Sequence, residues 1–316
     1  MTDLMIEATS LHQRFGEVTA LDNVDLRVRR GSVMGLLGHN GAGKTTLINI
    51  LSTLVPPANG TAVVAGHDVT TAPREVRRRI GLTGQYAAVD EQLSGMDNLV
   101  LLARLLGSGR AGAHARAAEL IELFDLRDAA KRPVETYSGG MRRRLDIAAS
   151  IVGEPEVIFL DEPTTGLDPV SRNGVWKLVE DLTHNGATVL LTTQYLEEAD
   201  RLADEITVLS SGRVIAAGTP EKLKAQVGRL TAHVTLVEET QMDAALRALE
   251  RIRLDPHHDD ERAELYVALE ESTSLASVVR ALDDASVAIN RLVLTEPTLD
   301  DVYLSLSGRK TLPTAA

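Results

Sequence analysis

The chain has 316 residues with 33 Lys+Arg against 45 Asp+Glu, a net charge of −12 and 3% aromatic residues, a balance without the concentrated basic surface and stacking aromatics of a nucleic-acid binder. It contains no cysteine, which excludes a disulfide scaffold, a thiolate zinc site and a thiol nucleophile. Its length suggests one large or two ordinary domains, with 44% hydrophobic residues to fill them.

Met1 to Leu11 carries Asp3 and Glu7 and lacks the basic start and apolar centre of a signal peptide. Every apolar run is far shorter than the roughly 20 residues needed to cross a bilayer. Two strand-like segments, Leu4 to Ala8 and Val24 to Val28, precede the apolar run Val33 to Leu37, which reads as a buried strand. Gly38-His39-Asn40-Gly41-Ala42-Gly43-Lys44-Thr45-Thr46 follows it, and Leu47 to Leu51 has helical character. From Pro73 to about Glu156 the pattern is mostly helical, as in Leu99 to Leu106 and Arg116 to Phe124, and reads as an insert. Val157 to Leu160 and Thr188 to Thr192 read as buried strands on either side of a helix at Pro169 to Thr183. Such alternation means a parallel sheet.

A break is expected near Gly228, beyond the turn Gly218-Thr219-Pro220 and a short helix at Glu221 to Gln226. Residues 228–316 carry a net charge of −7 and the first 227 a net of −5, from the same −12 total. Alternation at Val234 and Leu236 and at Leu265, Val267 and Leu269, with helical stretches at Met242 to Arg251 and Leu275 to Leu282, predicts a small α+β domain. Thr298 and Asp301 resemble a capping box, and Leu299, Val302, Tyr303 and Leu306 give an apolar stripe, so a last helix is expected before Gly308.

Gly38 to Thr45 completes G-x-x-x-x-G-K-[ST] between a predicted strand and helix. The glycines let backbone N–H groups curl around phosphates, Lys44 reaches the β and γ phosphates, and Thr45 offers a hydroxyl to Mg²⁺. Asp161-Glu162-Pro163 ends the run Val157 to Leu160. Asp161 is expected to hold Mg²⁺, directly or through water, and Glu162 to orient or deprotonate the attacking water. Arg142 to Arg144 and Arg77 to Arg79 read as solvated helix faces, and His257-His258-Asp259-Asp260 as a solvated turn.

Tyr137-Ser138-Gly139-Gly140-Met141-Arg142-Arg143-Arg144-Leu145 lies between the phosphate loop and Asp161. The ordered set resembles the ATP-binding subunits of ABC transporters, with Ser138-Gly139-Gly140 as the signature and Gly166-Leu167-Asp168-Pro169 as the D-loop. The resemblance implies that Phe15 stacks on adenine and that Gln85 is the Q-loop glutamine contacting Mg²⁺. Ser138, Gly139, Gly140 and Asp168 would then contact ATP held by a partner subunit. Met141 stands where the family usually has Gln, Tyr137 where it has Leu, and Gln194 where it has a His contacting the γ-phosphate. Gln can donate a hydrogen bond there but cannot become cationic, so slower hydrolysis is expected.

The implied fold is α/β: a P-loop NTPase core of the ABC ATPase kind, with an antiparallel β subdomain and a helical insert at about 86–155. Residues 1–227 would form the nucleotide-binding domain and 228–316 a C-terminal accessory or regulatory α+β domain. The implied enzyme is an Mg²⁺-dependent ATPase that forms a homodimer on ATP binding. It would dock, as a peripheral protein on the cytoplasmic face of the membrane, to a polytopic permease, with no nucleic-acid partner. Glu296 to Arg309 and the Tyr-Ser-Gly-Gly-Met-Arg-Arg-Arg-Leu signature resemble the daunorubicin/doxorubicin-resistance exporters, so export of a drug, antibiotic or other amphipathic compound is expected. The alternatives are a lipid or polysaccharide-precursor exporter and a non-transport regulatory ATPase.

Overall fold

The computed structural model describes residues 3–84, 89–227, 230–259, 264–269, 275–299 and 302. The chain divides into two compact units, Met1–Pro220 and Glu221–Ala316. The first opens with β1 (Leu4–Phe15) and β2 (Val18–Arg29), where Val24, Leu26 and Val28 are buried between exposed Asp25, Arg27 and Arg29. That period of two belongs to a sheet with one wet face. β3 (Val33–Leu37) is buried throughout and leads into α1 (Lys44–Leu51). β4 (Asn59–Val64) and β5 (His67–Asp68) complete an antiparallel sheet of order β2-β1-β4-β5.

The middle of this unit holds α2 (Pro73–Arg77), β6 (Ile80–Thr83), α3 (Gly95–Leu105), α4 (Arg110–Leu123) and α5 (Gly139–Ser150). Then come β7 (Val157–Asp161), α6 (Pro169–His184), β8 (Thr188–Thr193), α7 (Leu196–Leu202), β9 (Glu205–Ser210) and β10 (Arg213–Gly218). Six strands form one sheet, β10-β9-β3-β8-β7-β6, parallel except at β10. One apolar cluster joins the antiparallel sheet to it through Ile6, Leu11, Leu21, Leu36, Leu47 and Phe159. Another joins the helices through Leu99, Leu120, Phe124, Leu145, Trp176 and Leu191. Each such side chain contributes about 1.5–3 kcal/mol on full burial. Because β3, β8 and β7 are parallel neighbours, the segments after Leu37, Asp161 and Thr193 emerge at one edge, the place where open α/β sheets bind ligands.

The second unit begins at the second residue of α8 (Pro220–Val227) and holds β11 (Leu230–Leu236), α9 (Met242–Arg251), β12 (Pro256–Asp259), β13 (Glu264–Leu269), α10 (Leu275–Asp284) and β14 (Ile289–Thr295). From β11 onward this is the β-α-β-β-α-β succession of a ferredoxin-like fold, with sheet order β12-β13-β11-β14. Ala232, Val234, Leu265 and Val267 meet Leu249, Val278 and Leu282 in its core.

Three expectations change. The stretch from Pro73 to Glu156 is not helical throughout: it includes β6, whose four residues pair with β7. His257 and His258 lie on the edge strand β12 and not in a turn. Of Arg142 to Arg144, read as a solvated face, Arg143 instead turns inward. The helix expected after Thr298 lies mostly outside the described residues. Among the described residues no helix is long and apolar enough to cross a membrane, and no group of three or more His, Cys, Asp or Glu could hold a metal ion.

Candidate functional site

The loop between β3 and α1 is shaped by its backbone. Gly43 caps α1 at φ 109°, and a Cβ there would lie 2.5 Å from the Ala20 carbonyl oxygen and 2.9 Å from Leu21 Cδ2; only glycine fits. The first turn of α1 carries no acidic residue and no side-chain cap, which leaves its N–H groups and helix dipole for an anion. Gly212 N–H donates to the Ala42 carbonyl at 3.0 Å and ties the loop to the β9–β10 turn. His39, Asn40 and Gly41 are exposed, Gly38 and Ala42 buried, and Thr46 half-buried.

Lys44 begins α1 and is only 5% exposed. Its Nζ donates to the Gly38 carbonyl at 2.6 Å and the His39 carbonyl at 3.3 Å, and lies 3.4 Å from Glu162 Oε1. Thr45 Oγ1 donates to Asp161 Oδ2 at 3.3 Å, and Thr192 Oγ1 donates to Asp161 Oδ1 at 2.5 Å. The Asp161 carboxylate and Thr45 hydroxyl therefore bring hard oxygen donors together, the donor set that suits Mg²⁺.

Glu162 has a left-handed backbone, φ 47°, a conformation that costs a non-glycine residue about 1–3 kcal/mol and needs surrounding structure to hold it. Its N–H donates to Thr192 Oγ1 at 3.0 Å and to the Thr192 carbonyl at 3.2 Å, while Thr165 Oγ1 donates to Glu162 Oε2 at 3.3 Å. Gln194 is exposed at the bend after β8, and Phe15 is 50% exposed at the end of β1. Gln85 lies outside the described residues.

A second group surrounds the start of α5. Ser138 caps the helix by accepting from the Met141 N–H at 3.2 Å. Gly139 is exposed, and a Cβ on buried Gly140 would run into the Ser171 hydroxyl. That hydroxyl donates to Asp168 Oδ2 at 2.6 Å, while Asp168 Oδ1 accepts from the Val170 and Ser171 N–H groups at 3.0 Å, capping α6. The Ser171 hydroxyl and these N–H groups hold the Asp168 carboxyl below the usual carboxylate range. Tyr137 is buried and donates to the Ala129 carbonyl at 2.8 Å; its hydroxyl leaves no room for a Cβ on Gly95 at the start of α3. Burial pushes the Tyr137 phenol up.

The structure thus brings Lys44, Thr45, Asp161 and Glu162 into one cluster, and Ser138, Gly140 and Asp168 into another. Among the described residues no hydrogen bond or ion pair joins Ser138–Gly140 to the loop 38–46.

Arg142 pairs with Glu91, and Arg144 donates to the carbonyls of Phe124 and Asp125. Arg143 turns inward and donates to the carbonyls of Pro163 at 2.7 Å, Gly84 at 3.1 Å and Asp161 at 3.1 Å. Burial draws its pKa down, opposed by the carboxylates of Asp146, Asp161 and Glu198, and a guanidinium stays charged. The helical period held the signal: Gly140, Arg143 and Ile147 follow at intervals of three and four. Glu198 is also inside, fully buried, with Oε1 accepting from Trp176 Nε1 at 3.1 Å and Oε2 without a hydrogen-bond partner. Desolvation pushes its carboxyl up.

Residues 21–165 match the family model "ABC transporter", and residues 218–307 match "ATP-binding protein DrrA1-3-like, C-terminal domain". The chain is 50% identical to the daunorubicin resistance ATP-binding protein DrrA2 of Streptomyces coeruleorubidus, over 100% of this chain and 99% of that one. It is 48% identical to the daunorubicin/doxorubicin resistance ATP-binding protein DrrA of Streptomyces peucetius, over 96% and 92%. A solved ATP-binding subunit of an ABC transporter superposes with a TM-score of 0.63 at 29% identity, covering 70% of this chain and 92% of that one.

Proposed function

The chain belongs to the ATP-binding proteins of ABC transporters and is an ATPase, and on that premise we propose that its hydrolysis of ATP powers export of a drug, antibiotic or similar amphipathic compound through a separate membrane permease. The observation that carries the catalytic part is the junction of Lys44 with Glu162 at 3.4 Å, beside the Thr45–Asp161 contact. A cation for the phosphates, a carboxylate for water and a pair of oxygen donors for a metal converge at the carboxyl edge of the parallel sheet. The export part is supported by relatives in drug resistance that align along nearly the whole chain.

In this reading the N–H groups of residues 41–46 and Lys44 bind the β and γ phosphates, with Gly38, His39 and Asn40 shaping the loop, and exposed Phe15 stacks on adenine. Thr45, Asp161 and Gln85 would hold Mg²⁺, whose charge would neutralise that of the phosphates. Glu162 accepts a proton from the attacking water, and Gln194 donates a neutral hydrogen bond to the γ-phosphate. Ser138, Gly139, Gly140 and Asp168 of one copy cover the ATP held by the other, which makes the working unit a two-fold homodimer. The pair sits on the cytoplasmic face of the membrane by docking on the permease, and residues 221–316 stabilise or gate the pair.

Tagged protein carrying Glu162→Gln, loaded with Mg-ATP and used to capture partners from detergent-solubilised membranes of the native host, tests the export reading. Recovery of a polytopic membrane protein is expected. Recovery of soluble or ribosomal partners alone would overturn it.

A further inference from the structure

We propose that Arg143 is a positioning residue for ATP hydrolysis: from the signature helix it clamps the carbonyls of the two residues that flank Glu162 and so holds that carboxylate in its working orientation. The inference rests on the reading of Glu162 as the group that activates water.

Three observations converge on Arg143. Its Nη2 and Nε donate to the carbonyls of Asp161 at 3.1 Å and Pro163 at 2.7 Å, the residues immediately before and after Glu162. Between them Glu162 adopts φ 47°, a backbone that persists only where its surroundings over-determine it. Thr192 holds the Glu162 N–H from the β8 side, so the guanidinium and Thr192 grip the strained residue from two sides. The third donor, Nη1, reaches the Gly84 carbonyl at 3.1 Å, at the end of β6 and directly before Gln85. One rigid fork, always charged, therefore ties α5 to the carboxyl ends of β7 and β6, at Asp161 and Gly84.

The same side chain gives the signature turn a mechanical path to the water-activating group. Ser138 to Gly140 lie at the N-terminus of α5, one turn before Arg143, and a helix transmits displacement as a stiff element. Movement of the turn on engaging nucleotide shifts the guanidinium, and with it the carbonyls that flank Glu162. A lysine retains charge but offers one nitrogen, and a glutamine offers one short amide, so neither spans all three carbonyls.

The test is a double-mutant cycle in the full-length protein, reading single-turnover hydrolysis of radiolabelled ATP, equilibrium binding of a fluorescent ATP analogue, and thermal melting. Arg143→Gln is expected to slow hydrolysis about 30-fold and Arg143→Lys about tenfold, with nucleotide Kd within about threefold of the parent. Glu162→Gln alone is expected to slow it more than about 100-fold, and adding Arg143→Gln to Glu162→Gln should change the residual rate less than about twofold. Recovery of part of the rate by Lys over Gln separates positioning from a loss of folded protein, and the melting temperature checks the same point. If Arg143→Gln slows the Glu162→Gln protein by the same factor as the parent, or if nucleotide affinity and melting temperature fall in step with the rate, the proposal is overturned. If Glu162→Gln hydrolyses ATP at the parental rate, the reading of Glu162 itself fails. Parental hydrolysis by both Arg143 variants, alongside a disabled Glu162→Gln, would sink the Arg143 proposal alone.

Discussion

The phosphate loop and the signature turn are both glycine-rich openings of helices, yet they are held in different ways. The loop before α1 is a backbone structure, in which Gly43 sits at a positive φ under the Ala20 carbonyl and Lys44 folds onto the carbonyls of Gly38 and His39. The turn before α5 is held by side chains: Tyr137 bonds to Ala129, Gly140 packs on the Ser171 hydroxyl, and Arg143 anchors the helix to three carbonyls. A backbone-built site tolerates almost no change of residue type at its glycines. A side-chain-built site accepts substitution when the partner changes with it.

Substitutions can break this contrast. Gly43→Ala must meet both a disfavoured φ and the Ala20 oxygen at 2.5 Å, and should raise the Kd for Mg-ATP about 30-fold or more by nucleotide titration. No second substitution should rescue it, because the obstacle is main chain. Gly95→Ala should cost about 1–3 kcal/mol in denaturant unfolding, as overpacking against the Tyr137 hydroxyl. Here rescue is expected: in a Tyr137→Phe background the same change should cost about 1 kcal/mol less, a coupling between touching residues. Equal costs in both backgrounds would remove Tyr137 as the side-chain anchor of the turn.

Two smaller effects sharpen the picture near Glu162. Gln194→His would restore a titratable donor and should raise steady-state turnover about two- to fivefold with little change in KM; an unchanged or lower rate would count against the γ-phosphate contact. Glu198 has its pKa raised by burial, so the folded protein binds that proton more tightly than the unfolded chain. Its contribution is complete below about pH 4 and is lost as pH rises through the folded value. Glu198→Gln removes that dependence, so its stability relative to the parent in urea unfolding should improve as pH rises above about 5 and level off once the buried carboxyl has ionised.

What could be read from the sequence follows the same division. Glycines, Lys44, Asp161 and Glu162 announce themselves because spacing along one strand–loop–helix unit sets their geometry. β6 was hidden because four residues, one of them Gly81, carry too little pattern beside three consecutive arginines. The hairpin of β1 and β2 runs through Phe15 and Val18, well beyond the two short segments its apolar residues suggest, since half of each strand faces water. Arg143 and Glu198 were passed over because a charge inside a charge run looks solvated until the helix face is known. In the second unit the two amphipathic helices and the strands β11 and β13 were legible by period, whereas β14, with only partly buried or exposed positions, was not.

In the proposed dimer the two openings meet only across two copies of the chain. Lys44→Ala and Ser138→Arg variants, each purified alone, should be nearly inactive in steady-state ATP hydrolysis. Mixed one to one they form heterodimers with one composite site intact, and activity should return to about a quarter of the parental rate, given random pairing in a two-fold dimer and independent sites. A mixture as inactive as its components at every ratio, with parental activity strictly proportional to protein concentration down to the lowest measurable level, would contradict it.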